Sequence, residues 1–159
     1  MRLHAAVSEL NRMRPADERI TTIALYTDPD ASAWFVRQAD EATYLGSATM
    51  VDPVDGHRKS RYLDEDGLMA ALQKADADAV WVGWGFVSER ASFAARCEQA
   101  GITFIGPSSE TISRLGDKIT SKRIAEQADV PVVPWSGSAV DDPEEALRHA
   151  QQRHRTPRR

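Results

Sequence analysis

The 159 residues include 42% hydrophobic and 28% charged side chains, enough apolar content to build a core and too much for a disordered chain. A net charge of −4 gives no basic footprint for a nucleic-acid partner over the whole molecule. A single cysteine, Cys97, excludes an internal disulfide framework, and neither a membrane-spanning run nor a signal peptide is evident, so the expected location is the cytoplasm.

Leu3, Ala6, Val7, Leu10 and Met13 recur at helical spacing and predict a first helix over 1–13, ended by Pro15. No strand precedes it, which is unusual for a domain of alternating strands and helices. Residues 21–26 (TTIALY) are β-branched and apolar and predict a buried parallel strand. Thr27-Asp28-Pro29-Asp30 is turn chemistry, with Asp30 or Ser32 expected to cap a short helix over 33–38. A weak strand is predicted over 42–45, ended by Gly46. The polar run 47–61, punctuated by Pro53 and Gly56, predicts a surface loop. Leu68, Leu72 and Ala75 then share one face of a helix over 64–75.

The stretch 79–118 organises the rest. Its apolar opening, 79–82, predicts a buried strand that breaks at Gly83-Trp84-Gly85-Phe86. Ser88 is the expected cap of a helix to Ala100, with Phe93, Cys97 and Ala100 inward and Gly101 as its stop. A strand over 102–105 ends at Gly106-Pro107-Ser108-Ser109, and Ser108 or Ser109 caps a helix toward Leu115. Asp117 caps the next helix, with Ile119, Ile124 and Ala128 inward. Strand, glycine turn, helix and strand predict an α/β fold with a parallel sheet and a ligand edge at the carboxyl ends of its strands. Beyond it, prolines hold 129–134 extended, and a boundary is expected near the turn at 135–138. Asp142, with Pro143 in the first turn, starts a last helix to about Arg153, and 154–159 reads as a basic tail.

Residues 83–88 suit an anion at a helix start, where free amides and the dipole favour negative charge. The plain alternative is a tight turn that needs glycine for its backbone. The run departs from the dinucleotide fingerprint, because Ser88 replaces the third glycine and no acidic residue ends the next strand. Lys118 stands in the first turn of a helix, where the dipole disfavours cations. A phosphate contact would account for it, and so would a solvated surface lysine. Trp84 and Trp135 are candidate stacking surfaces or lids, and Glu89 a carboxylate of the same turn. His4, His57, His149 and His154 show no metal-ligand spacing, so no metal site is predicted. Arg153, Arg155, Arg158 and Arg159 read as a solvated charge run.

Several pieces, taken together, resemble a known family. Ala39-Asp40-Glu41-Ala42, Tyr62-Leu63, and residues 83–89, 104–108, 115–118 and 130–134 occur in the order found in biotin carboxylases. The match is to their N-terminal, pre-ATP-grasp region, the start of the ATP-dependent part of acetyl-CoA, propionyl-CoA and pyruvate carboxylases, and it runs to about Ala150. Gly83-Trp84-Gly85 and Pro134-Trp135-Ser136-Gly137 look like the large acyl-CoA carboxylases.

The resemblance implies a Rossmann-like three-layer parallel sheet over 1–138, with 139–159 as the start of a truncated ATP-grasp lobe and its basic tail. It implies Lys118 as a contact to ATP phosphates, and Trp84, Gly85 and Glu89 as lining of the biotin and bicarbonate pocket. Implied cofactors are ATP with Mg2+ and biotin, and implied partners are bicarbonate and a biotin carrier domain. The first helix resembles one that forms a dimer interface, so a homodimer or a carboxylase subunit is expected there. The family's first strand, its Asn-Arg-Gly-Glu loop and the ATP-grasp lobe have no counterpart in the sequence. The expectation is therefore a fragment with little turnover alone and an open sheet edge prone to aggregation. A non-catalytic module that pairs with a carboxylase subunit is the alternative. Another ATP-grasp ligase, such as carbamoyl-phosphate synthetase, is disfavoured by the run Gly83 to Glu89.

Overall fold

The computed structural model describes residues 2–154, in two units that meet in sequence at Ser108 and Ser109. The first unit contains α1 (Arg2–Arg12), β1 (Ile23–Tyr26), α2 (Trp34–Gln38), β2 (Glu41–Tyr44), β3 (Thr49–Val51), β4 (Arg58–Ser60), α3 (Glu65–Lys74), β5 (Ala79–Val80), α4 (Ala91–Gln99) and β6 (Thr103–Phe104). The second is helical, with α5 (Ser109–Gly116), α6 (Lys118–Gln127) and α7 (Pro143–His154). The basic ending beyond residue 154 lies outside the described residues.

β1 and β2 pair in parallel, Ile23 opposite Glu41 and Tyr26 opposite Tyr44. β5 and β6 do the same, Ala79 opposite Thr103 and Val80 opposite Phe104. Each pair is joined through a helix, the connection a parallel ladder requires. The α/β class and its parallel strands are as the sequence predicts. Among the described residues no strand pairs with the second edge of β1 or of β5.

The core lies where α3 and α4 face these strands. Leu68, Met69 and Leu72 of α3 meet Phe93 and Cys97 of α4, with Val87 and Ile102 also buried and Leu25, Val80, Val82 and Phe104 packed around them. Phe93 meets Phe104 edge-on at 6.4 Å. A fully buried aromatic or Leu side chain contributes roughly 1.5–3 kcal/mol, so this cluster dominates the first unit. Cys97 is wholly buried, its thiol 3.8 Å from the Met69 sulfur. Burial pushes that thiol's pKa up, which makes it the packing residue expected from its helix position.

Four local expectations are corrected. The run 47–61 is not a plain loop, because β3 and β4 form an antiparallel pair within it. Its turn is built from side chains: Asp52 accepts from the Val54 N–H and Asp55 from the His57 N–H, both at 2.8 Å, while Lys59 pairs with Asp52 at 2.7 Å. Neither Asp30 nor Ser32 caps α2, whose N-cap is Ala33 without a side-chain bond. Ala100 is exposed at the end of α4. There the Ile102 N–H reaches the Cys97 carbonyl at 2.9 Å over Gly101 at φ +73°, the Schellman closure that glycine permits. The stripe of α1 is only partly covered, with Val7 buried and Leu10 and Met13 exposed.

Candidate functional site

Between β5 and α4 the chain reverses over residues 81–90, and it does so with left-handed backbone. Gly83 (φ +68°), Gly85 (φ +75°) and Phe86 (φ +49°) all adopt it. Glycine does so freely, whereas a bulky residue there is strained by about 1–2 kcal/mol. Phe86 offsets that cost through its ring, which packs on Tyr62 at 5.3 Å. Next to it Val87 is buried as the anchor of the loop. Two successive turns follow, closed by the Ser88 N–H on the Gly85 carbonyl (2.9 Å) and the Arg90 N–H on the Val87 carbonyl (3.1 Å).

These turns separate the glycines from the helix. Ser88 does not cap α4; its N-cap is Arg90, with no side-chain bond. The loop therefore presents side chains rather than a helix N-terminus. Trp84 is 87% exposed, Glu89 is exposed, and no atom lies within 4 Å of the Cβ that Gly85 lacks. An open glycine flanked by an exposed aromatic ring and a carboxylate can accept a flat polar ligand.

Tyr62 fixes this loop to the carboxyl end of β1. Its hydroxyl donates to Asp30 Oδ2 at 2.7 Å and accepts from the Thr27 N–H at 3.2 Å. The buried Thr27 hydroxyl donates to the same Asp30 oxygen at 3.0 Å. Burial, then the bond to Asp30, raises the Tyr62 pKa and keeps it a donor. Beside it, Asp28 accepts from the Tyr44 hydroxyl and, at 3.2 Å, from Ser47. By its sequence, Thr27-Asp28-Pro29-Asp30 reads as a turn only. The signal it carries is a pair of aspartates at the carboxyl end of a parallel strand, where α/β sheets place ligands.

In the second unit, Asp117 caps α6 as predicted, its Oδ1 accepting from the Thr120 N–H at 2.7 Å. Hydrogen bonds from Thr120 lower the carboxyl pKa. Lys118, the first residue of α6, is exposed and has no ion pair among the described residues. One turn on, Lys122 lies over the Trp135 ring at 5.2 Å. The Trp135 Nε1–H donates to Glu126 at 2.7 Å and Arg123 to the Gly137 carbonyl at 3.1 Å, strapping the 135–137 turn onto α6. Trp135 is thus a packed residue rather than an open stacking surface. Trp84, Gly85 and Glu89 share one loop, and Lys118 belongs to the other unit. Among the described residues no three His, Cys, Asp or Glu side chains converge on a point that could hold a metal.

A family model described as the biotin carboxylase N-terminal domain matches residues 1–112. The chain is 39% identical to a biotin carboxylase of Halalkalibacterium halodurans, over 82% of this chain and 27% of that one. It is also 39% identical to the propionyl-CoA carboxylase alpha chain of Ruegeria pomeroyi, over 84% and 18%. The biotin carboxylase domain dimer of Hydrogenobacter thermophilus 2-oxoglutarate carboxylase, solved with MgADP, ADP and bicarbonate, superimposes with a TM-score of 0.75. It is 36% identical, over 95% of this chain and 30% of that one. The chain thus spans only 27% and 18% of the length of these two curated relatives.

Proposed function

The chain belongs to the biotin carboxylase N-terminal domain family, and on that premise we propose that it is the N-terminal part of a biotin-dependent carboxylase. The parent reaction is the ATP-dependent carboxylation of biotin with bicarbonate, serving an acyl-CoA carboxylase in the cytoplasm. We assign Lys118 to the ATP phosphates, and Trp84, Gly85 and Glu89 to the lining of the biotin and bicarbonate pocket.

The observation that carries this reading is Lys118 itself. It is an exposed cation at the start of α6 with no ion pair among the described residues, at an end where the helix dipole disfavours cations and the adjacent Asp117 carboxylate is engaged by the Thr120 N–H. The open, Trp84-flanked loop fits the assigned pocket. The carboxylates do not fit a metal, since none cluster among the described residues. No step is therefore assigned to Mg2+ on this chain, and turnover by the chain alone is expected to be small. ATP phosphates, with Mg2+ when bound, would supply the electrophile in the parent reaction.

Pairing with a second copy or a carboxylase subunit through α1 is supported by the exposed Leu10 and Met13. The test is thermal melting of the chain with and without Mg-ATP, beside Lys118→Ala. A stabilising shift that disappears in the variant is expected. An equal shift in both proteins, or none in either, would overturn the assignment of Lys118.

A further inference from the structure

We infer that Glu65 is a positioning residue for the 81–90 loop: it holds the Arg90 guanidinium against the start of α3 and so keeps the Glu89 carboxylate free for a ligand. The inference rests on the assignment of Glu89 to the pocket lining made above.

Glu65 opens α3 three residues after Tyr62. One short stretch therefore holds the loop twice, at the Phe86 ring through Tyr62 and at its end through Glu65. Glu65 Oε1 accepts from Arg90 Nη1 at 3.4 Å and from the Ser92 hydroxyl at 2.8 Å. Its Oε2 lies 4.0 Å from Arg96. The Glu65 side chain is 15% exposed and that of Arg90 46%, so the carboxylate is the fixed partner and the arginine is drawn to it. The stretch is itself braced, by the Tyr62 N–H on Ser60 Oγ at 3.3 Å and by Arg61 on Asp64 at 3.0 Å.

Glu89 directly precedes Arg90, in the turn closed by the Arg90 N–H on the Val87 carbonyl. A guanidinium on a long stem beside an exposed carboxylate is a ready partner for it, since its fork matches the two oxygens. Here that partner is taken. Arg90 is on Glu65, and Glu89 is exposed with no ion pair among the described residues. A carboxylate without a cation keeps all its lone pairs for the N–H groups of a ligand, such as the cyclic urea of biotin. Without the Glu65 charge, Arg90 is released beside Glu89 and competes with the ligand for it.

The experiment follows the Glu89 carboxyl carbon by NMR at pH 7, first without ligand and then during titration with free biotin. Glu65→Gln keeps an acceptor for Ser92 and removes the charge that holds Arg90. It should move the ligand-free Glu89 signal and weaken biotin binding about threefold, the scale of one exposed ion pair. The double variant Glu65→Gln, Arg90→Gln should restore both, a rescue that simple loss of packing cannot produce. Arg90→Gln alone should leave the signal as in wild type. So should Asp66→Asn, which removes the neighbouring charge of α3 and its 2.7 Å pair with Arg96. An unmoved signal in Glu65→Gln, a double variant further from wild type than the single one, or an equal effect of Asp66→Asn would overturn the proposal. Biotin that perturbs none of these proteins would overturn the pocket assignment, while the ligand-free signal would still decide whether Glu65 keeps Arg90 from Glu89.

Discussion

The Tyr62 ring meets Phe86 at 5.3 Å and 52°, so a residue that follows the β3–β4 hairpin holds the strained turn after β5. Through its hydroxyl the same side chain reaches Asp30 and Thr27 at the end of β1. Three connections at the carboxyl ends of the strands are thereby tied together by one phenol. The exposed position of Trp84 depends on that tie, because on its C-terminal side the loop is held by the Phe86 ring on Tyr62 and by the buried Val87.

Tyr62→Phe keeps the ring and removes the tie. It leaves the Thr27 N–H, on a residue 1% exposed, without its acceptor. An unmade buried hydrogen bond costs about 1–3 kcal/mol. Denaturant melts should show a loss in that range, with faster proteolytic nicking in 81–90. A variant as stable as wild type would show that the hydroxyl contributes nothing to holding the loop.

Two glycines separate backbone need from space. Gly85 lies at φ +75° with nothing within 4 Å of a Cβ, whereas Gly116 has equally open space, no left-handed φ and a place in α5. Gly85→Ala should therefore cost about 1 kcal/mol through backbone strain alone. Gly116→Ala should be neutral or stabilising by roughly 0.5–1 kcal/mol, as for any helical glycine replaced by alanine. Equal effects in denaturant titrations would contradict this reading of Gly85.

Asp40 gives the acid limb of stability a specific source. Its carboxylate accepts from the Thr22 N–H at 2.8 Å and the Thr22 hydroxyl at 2.7 Å, and these bonds, the backbone one first, lower its pKa. A depressed carboxyl contributes stability that is present above its unfolded pKa of about 3.9 and is lost as pH falls through the folded value. The melting temperature of the wild type should therefore drop from about pH 5 downward. Asp40→Asn should make that limb shallower without abolishing it, since the Asp52 and Asp117 carboxyls are also depressed, and should leave the slope above about pH 6 unchanged. Identical pH profiles would remove Asp40 from the account.

How far the sequence reveals this molecule depends on the range of the interaction concerned. β1, β2, α3 and the caps at Asp117 and Asp142 follow from neighbours within one turn, and all lie where periodicity and cap chemistry place them. The β3–β4 pair escapes such patterns because Arg58-Lys59-Ser60 is polar and its stability comes from Asp52 and Asp55 folding back on their own turn. Cap chemistry misplaces the start of α4 because Ser88 is a good cap by type, yet the turns closed at Gly85–Ser88 and Val87–Arg90 delay the first helical residue to Ala91. Tyr62 is beyond reach for another reason. Its partners Asp30 and Thr27 lie 32 and 35 residues away, and no local pattern encodes a bond at that distance. The family resemblance marks Tyr62-Leu63 as a motif without saying what the tyrosine holds.

Cys97 gives the core its own reporter. The side chain is wholly buried between α3 and the strands, and burial raises its thiol pKa. Thiolate is the reactive form, so both access and ionisation are withheld in the folded chain. A thiol reagent at about pH 8 should label it only as fast as the first unit opens, and rapidly in denaturant. Cys97→Ala would remove the sulfur that meets Met69 at 3.8 Å and should cost roughly 1–2 kcal/mol, a small cavity in a packed core. Cys97→Ser should cost more, since the hydroxyl would be buried beside a thioether, a poor acceptor. Rapid labelling under native conditions would mean that the α3–α4 contact opens readily and that the core is less cohesive than its packing indicates. Labelling that tracks global unfolding would establish this contact as the last part of the first unit to give way.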